Sequence, residues 1–400
     1  MARLRDLIGR KMLFPALRVM RAQMRLISDP LKLRAGAAVG DALGSLPPDV
    51  RTEQVVAGTA PATWVLVKGA RKGRVVLYLH GGAFITETPV FHGALLARIC
   101  REVLARGLMV SYRLAPEHPY PAALDDCIAA YRWLLAQGVD ESRIIVAGDS
   151  AGGNLTLALL LRLRDEGLPL PGGAVALSPV ADLTFSGESV QRNDGVDDMF
   201  SADLMGAMVP LYLASRDLCT HPHVSPVFGD FTGLPPLLLI VGSTELLLDD
   251  SVRVAQRWPG STLLVWDGMP HVFAGFGFLP EAREATRRIG RFIRACLSVE
   301  AEAHASEQAQ VGSDLAPMPA QESSTNARQR LGIRARLYLA VMVVTGLMWM
   351  AVIVLGIGPL LWLVHPLVWG AAFLLGTIWV LAAMLLLRAL WGPRPRVDRT

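Results

Sequence analysis

Gly148-Asp149-Ser150-Ala151-Gly152 follows the apolar, β-branched run Ile144-Ile145-Val146 and opens onto Gly153-Asn154-Leu155-Thr156-Leu157-Ala158-Leu159. A strand, a tight turn and a helix form the context in which Gly-x-Ser-x-Gly carries chemistry. A serine at so sharp a turn sits on a strained backbone with its Oγ pushed outward. Glycines two residues away on either side remove Cβ atoms that would collide there. In a chain without such chemistry the same serine would be an ordinary helix N-cap. The strand-turn-helix context marks Ser150 as a nucleophile instead.

Outward from this turn, residues from about 55 to 298 alternate between strand and helix patterns. Strands are expected at Thr63–Val67, Val75–Leu79, Leu108–Tyr112, Arg143–Ala147, Ala174–Leu177, Leu237–Val241 and Thr262–Trp266. Helices are expected at 91–105, 121–136, 151–165, 249–258 and 280–297. The later strands are short, continuous apolar runs, as parallel strands are when helices cover both faces. The expected fold class is therefore α/β, doubly wound around a mostly parallel sheet. Such sheets hold ligands beyond the carboxyl ends of their strands, which is where Ser150 falls. Residues 182–222 break the alternation and are expected to add to a helical lid.

A serine hydroxyl is a weak nucleophile at neutral pH and needs a base, which in turn needs an acid to fix its tautomer. His271 follows the last expected strand in Asp267-Gly268-Met269-Pro270-His271-Val272-Phe273, a loop from which a base can reach Ser150. His304 and His365 lie in later segments, and His221 and His223 precede a proline-rich loop and suit a structural role. The acid should follow Leu237–Val241. Glu245 lies in that loop, whereas Asp249 and Asp250 suit the first turn of the next helix, where carboxylates are favoured. Glu245 is the expected acid and Asp249 its competitor. The developing oxyanion needs N–H donors. His80-Gly81-Gly82-Ala83-Phe84 directly follows a strand and supplies a backbone-rich loop. The oxyanion hole is placed at Gly81, Gly82, Ala83 and Ala151. Gly82, Ala83 and Ala151 supply the amides, Gly81 lets the chain turn, and His80 braces the loop.

Together these pieces resemble the bacterial hormone-sensitive-lipase-like esterases, family IV of the α/β-hydrolases. The resemblance is carried by His80-Gly81-Gly82-Ala83-Phe84, Tyr112-Arg113-Leu114-Ala115-Pro116-Glu117-His118-Pro119-Tyr120-Pro121-Ala122 and Gly148-Asp149-Ser150-Ala151-Gly152-Gly153, with the Glu245 and His271 segments, over roughly residues 60 to 298. It implies an α/β-hydrolase fold and carboxylic-ester hydrolysis without a cofactor or metal. It also implies a lid built from the N-terminal segment and the 182–222 insertion. Asp149, Tyr112, Arg113 and Glu117 would brace the loops rather than react. Two departures stand out. Ala83 replaces the usual third glycine, keeping an N–H while narrowing the pocket slightly. Glu245-Leu246-Leu247 stands where the family often has Asp-Pro-Leu.

Composition narrows the setting. The chain has 400 residues, 52% of them hydrophobic, with a net charge of +4 and no long Lys/Arg run. The excess charge is too small and dispersed for nucleic-acid binding, and basic charge beside a membrane suits it better. Cys100, Cys127, Cys219 and Cys296 are scattered without metal spacing and suit free thiols. Residues 1–50 read as basic amphipathic lid helices with a second capacity for lipid contact. Arginines and Lys11 interrupt the first thirty residues, so no secretory signal is expected. Residues 51–298 form the catalytic domain and 299–327 a linker. Residues 337–358 and 367–387 are uncharged and long enough to span a bilayer as a hairpin. Arginines at both outer ends place those ends, and the enzyme, on the cytoplasmic side of the inner membrane. The expected partners are a hydrophobic ester and membrane lipid; oligomeric state is left open. Two other activities share this pattern: acyl transfer to a lipid through the same triad, and ligand binding without catalysis on a hydrolase scaffold.

Overall fold

The structure is a computed structural model that describes residues 13–22, 24, 29–42 and 44–309. The apolar segments 337–358 and 367–387, and residues 310–327 of the expected linker 299–327, lie outside the described residues; residues 299–309 are not linker but continue the helix that begins at Pro280. Among the described residues, no helix is long and apolar enough to cross a membrane.

The strands are β1 (Arg51–Ala57), β2 (Ala60–Leu66), β3 (Arg71–Leu79), β4 (Ala105–Val110), β5 (Ile144–Asp149), β6 (Gly173–Leu177), β7 (Leu237–Gly242) and β8 (Ser261–Trp266). The described residues make one eight-stranded sheet in the order β1-β2-β4-β3-β5-β6-β7-β8. The pairings β1/β2 and β2/β4 are antiparallel, and the rest are parallel. Two differences from expectation have physical causes. The sequence pattern misses β1 because that strand is an exposed edge: Arg51, Thr52, Glu53 and Gln54 are all exposed, and only Val55 and Ala57 turn toward the core. β4 begins earlier than the apolar run because Arg106 and Gly107 still pair with β3.

The helices are α1 (residues 13–22), α2 (Pro30–Ala42), α3 (Pro89–Val103), α4 (Ala122–Ala136), α5 (Ala151–Asp165), α6 (Glu188–Arg192), α7 (Ala202–Tyr212), α8 (Leu248–Arg257) and α9 (Pro280–Ala309). The central strands alternate between two buried clusters. Leu77, Leu79, Ile144 and Val146 face Tyr131 of α4 and Leu155 of α5. Val76, Tyr78, Ile145 and Ala147 face Leu95 and Ile99 of α3 and Ile289 and Ile293 of α9. Each such side chain removed from water contributes roughly 1.5–3 kcal/mol. The sheet is thus a rigid support whose strand ends are fixed in register. Leu79 lies beside Gly148, Asp149 beside Leu177, Leu177 beside Ile240, and Gly242 beside Trp266. The loops that follow β3, β5, β6, β7 and β8 therefore leave along one edge.

The N-terminal helices and the 182–222 insertion meet at this edge. Arg18 of α1 bonds Asp198 at 2.5 Å, and Arg21 reaches the carbonyls of Asp197 and Phe200. Asp41 of α2 accepts the first amides of α3, from Val90 at 2.9 Å and Phe91 at 2.8 Å. This is the position where a carboxylate satisfies free N–H groups and the helix dipole.

Gly152 shows how tight the central turn is. A Cβ there would stand 1.9 Å from the Leu79 carbonyl oxygen. Gly40, on exposed α2, has nothing within 4 Å of such a carbon. Gly152→Ala should therefore lower the thermal midpoint by about 5 °C or more, as overpacking against fixed backbone does. Gly40→Ala should leave it unchanged or slightly raised. Equal midpoints for the two variants would contradict this packing.

Candidate active site

Ser150 occupies the N-cap position of α5, yet its side chain makes no capping hydrogen bond. Its backbone is left-handed, with φ 54° and ψ −119°. A non-glycine residue there is unfavourable unless its surroundings impose it. They do so here: Ser150 N–H donates to Leu177 O at 2.8 Å, and its carbonyl accepts from Asn154 at 3.0 Å and Val180 at 3.2 Å. The turn is held by the end of β6, the loop after it and α5, while the hydroxyl has no hydrogen bond among the described residues.

His271 stands in the loop after β8. Its Nδ1 lies 2.8 Å from Glu245 Oε2. A carboxylate oxygen accepts, so the Nδ1 proton faces it and Nε2 keeps its lone pair. Nε2 is buried and has no hydrogen-bond partner among the described residues. Glu245 is itself fully buried, and its Oε1 accepts from Ser178 Oγ at 2.8 Å and from Gly242 N–H at 2.5 Å. Burial pulls the His271 pKa down, but the hydrogen bond and charge of Glu245, helped by Asp197 and Asp149, outweigh it and leave the imidazole above its ordinary 6.5. Asp249, the competing acid, sits in the first turn of α8 and accepts from Ser189 N–H at 2.8 Å and from Arg192 at 3.3 Å. The structure therefore brings Glu245, and not Asp249, onto His271.

The loop 80–86, expected to hold the oxyanion, is built from unusual backbone. Gly82, Ala83 and Phe84 have φ of 124°, 54° and 62°. At Gly82 a Cβ would lie 2.1 Å from Thr86 O, so only glycine fits. The amides of Gly82, Ala83 and Ala151 have no acceptor among the described residues. Gly81 differs. Its N–H donates to Asp149 Oδ1 at 3.1 Å and lies 3.3 Å from His92 Nε2, so it turns the chain and is not free to hold an oxyanion. Gly81 is therefore the turn residue of this loop and not one of its donors.

Asp149 links the two loops. Its buried carboxylate also accepts from Tyr78 at 2.7 Å and lies 3.2 Å from His92 Nε2. Burial would raise its pKa, but the charge and hydrogen bond of His92, with Tyr78, hold it below the usual carboxylate value. Tyr112 donates to His80 O at 2.7 Å, and its ring stacks on His80 at 4.1 Å. Burial holds His80 down at about 4, so it stays neutral. Arg113 grips buried Asp126 through two 2.9 Å bonds. Glu117 pairs with Arg34 of α2. His223 bonds Asp165 at 2.9 Å, apart from these loops.

Sequence reasoning did not find Ser178 or His92. Ser178 Oγ donates to Glu245 and accepts the Val272 N–H at 3.1 Å, joining the acid to the histidine loop. Its one sequence signal is its place directly after β6. His92 lies on an apolar helix face, and nothing local distinguishes it. The insertion also reaches the site. Asn193 bonds Glu245 O at 2.7 Å, Asp197 accepts the Leu246 N–H at 2.9 Å, and the Phe200 ring meets His271 edge-on at 4.8 Å.

The arrangement can activate a hydroxyl by general base catalysis. A protonated imidazole cannot accept the serine proton, so activity should fall as pH drops through the His271 pKa, which lies above 6.5. Glu245→Gln should move that inflection to lower pH and cut kcat by about 10²–10⁴-fold. A pH–rate inflection unmoved by the substitution would contradict the pairing.

Comparisons with known proteins follow the same outline. Residues 76–275 match a family model described as the alpha/beta hydrolase fold. The chain is 42% identical over 267 residues to an acetyl-hydrolase of Streptomyces hygroscopicus, covering 65% of this chain and 87% of that protein. It is 38% identical over 224 residues to an esterase of Acinetobacter venetianus, covering 55% and 74% respectively. A crystal structure of an esterase from the bacterial hormone-sensitive lipase family is 38% identical, with a TM-score of 0.68 over 71% of this chain and 98% of that one. The structure of EstE5 soaked with p-nitrophenyl butyrate is 39% identical, with a TM-score of 0.64 over 68% and 92%.

Proposed function

The chain belongs to the hormone-sensitive-lipase-like esterases of the α/β-hydrolase fold, enzymes of ester bonds, and from that premise we propose that Ser150, His271 and Glu245 hydrolyse a hydrophobic carboxylic ester through an acyl-enzyme. Ser150 Oγ attacks the ester carbonyl while His271 Nε2 takes the hydroxyl proton. Glu245 holds the imidazole in the tautomer that permits this and stabilises the cation that forms. The carbonyl oxygen becomes an oxyanion, held by the amides of Gly82, Ala83 and Ala151. Collapse expels the alkoxide, which takes the proton from His271, and leaves the acyl group esterified to Ser150. Water then loses a proton to His271 and attacks the acyl carbon. The second intermediate breaks to the free carboxylic acid, and Ser150 recovers its proton.

The observation that carries this proposal is the pairing of two features at one sheet edge. One is a serine held at φ 54°, and the other is an imidazole locked at Nδ1 by Glu245 at 2.8 Å; among the described residues neither the hydroxyl nor Nε2 has a hydrogen-bond partner. The substrate class is supported by the apolar surroundings: Phe84 stacks on Tyr212 at 3.7 Å, and Val190, Met205, Val209 and Leu246 belong to the same cluster. Residues 337–358 and 367–387 support a second part of the proposal. They would anchor the enzyme in the inner membrane with its catalytic domain on the cytoplasmic face, where arginines flank both outer ends.

Ser150→Ala should lower turnover of p-nitrophenyl esters by about 10⁴-fold or more, since the nucleophile and its base act as a unit. Turnover equal to wild type would end the proposal. Separately, the full chain should sediment with membranes and resist carbonate extraction. A chain ending at residue 327 should be released while keeping turnover of a water-soluble ester; release of the full chain by carbonate would refute the anchor.

A further inference from the structure

Arg34 lies on α2, well before the sheet begins, yet its guanidinium is spent on the oxyanion loop and its neighbour. Its Nε donates to Ile85 O at 2.7 Å and its Nη2 to Ala115 O at 2.6 Å. The same group meets Glu117 end-on, with Nη1 2.7 Å from Oε1 and Nη2 2.5 Å from Oε2. Ala115 N–H in turn donates to Phe84 O at 2.9 Å. One planar fork thus ties the turn 82–86 to the loop 112–121. Four of its five N–H donors are used, in a geometry that a point-like ammonium cannot reproduce.

The turn needs such a tie. Ala83 and Phe84 are consecutive non-glycine residues at φ 54° and 62°. Left-handed backbone is unfavourable for L-residues and persists only where the surroundings impose it. Inside the turn, Ile85 and Thr86 both donate to Gly82 O at 2.9 Å. Arg34 supplies the opposing constraint from outside, on the carbonyl of Ile85. Oxyanion donors act by being fixed before charge develops, so a turn free to relax would lose rate without losing ground-state binding.

We infer that Arg34 is a positioning residue for ester hydrolysis: it holds the Gly82 and Ala83 amides in the orientation that receives the oxyanion. The inference rests on the function proposed for Ser150. The N-terminal arm would then contribute to kcat itself, beyond covering the site.

The experiment uses the purified full chain and four variants: Arg34→Ala, Arg34→Lys, Glu117→Gln and Arg132→Ala. Arg132 of α4 pairs with Glu166 at the end of α5 and serves as a control for the loss of a surface ion pair. Active sites are titrated with a fluorophosphonate. Then kcat and KM are measured for p-nitrophenyl butyrate, and Ki for a trifluoromethyl ketone that adds to Ser150 as an oxyanion adduct. Arg34→Ala should lower kcat per titrated site by about 10–100-fold, less than the ~10²–10³ cost of deleting a donor outright. KM should stay within about threefold, and Ki should rise by the same factor as kcat/KM falls. Arg34→Lys should recover little of this. Glu117→Gln, which leaves both carbonyl bonds in place, should cost less than Arg34→Ala. Arg132→Ala should match wild type.

If Arg34→Ala does not fold, Arg34→Lys carries the same test. Fewer titratable sites with normal kcat per site, or an unchanged Ki, would reduce Arg34 to a structural role and overturn the inference. A wild-type chain with neither turnover nor a titratable serine would instead sink the proposed function, and this inference with it.

Discussion

The site depends on one steric constraint: the turn between β5 and α5 is pressed against the end of β3. At Gly152 the gap to the Leu79 carbonyl is too small for a methyl group, and at Gly148 the gap to Gly152 O is too small as well. Because the chain cannot spread there, Ser150 is forced into left-handed backbone and its side chain is turned away from the capping role it would otherwise take. The same closeness brings Asp149 beneath the oxyanion loop, where its carboxylate fixes the Gly81 amide. The positions of Ser150 and of the loop 80–86 are thus two results of one contact. Both follow from the absence of side chains at specific glycines.

Electrostatics complete what the packing begins. Glu245 is buried, and its acceptor capacity is taken up by Ser178, Gly242 and His271. A buried carboxylate so satisfied is a fixed dipole partner for the imidazole and has no other arrangement to relax into. The insertion reinforces this from above through Asn193, Asp197 and Phe200. α1 then holds the insertion through Arg18 and Arg21. The insertion is therefore bonded to the Glu245 loop itself, so a change in the N-terminal arm reaches Glu245 and His271 through named contacts.

Much of this was legible in the chain. The apolar runs 144–147, 174–177 and 237–241 showed a parallel core because strands buried on both faces need no alternation. The motif around Ser150 and the histidine after the last strand identified their loops because each is tied to a strand end. What escaped had no local signature. The first four residues of β1 are polar and exposed, so no periodicity marks it. Ser178, His92 and Arg34 act on groups far away in sequence, and their partners are set by strand order. A glycine-rich loop does not itself say what holds its first amide; the position of Asp149, which takes the Gly81 N–H, decides it.

The central claim, that the Ser150 hydroxyl is the atom that becomes acylated, is tested most directly by trapping. The full chain would be treated with a p-nitrophenyl phosphonate ester, digested and mapped by mass spectrometry. The account predicts one stoichiometric phosphonyl adduct, on the peptide bearing Ser150, formed at a rate that falls as His271 is protonated. An adduct on another residue, or none on a chain that still hydrolyses esters, would contradict it.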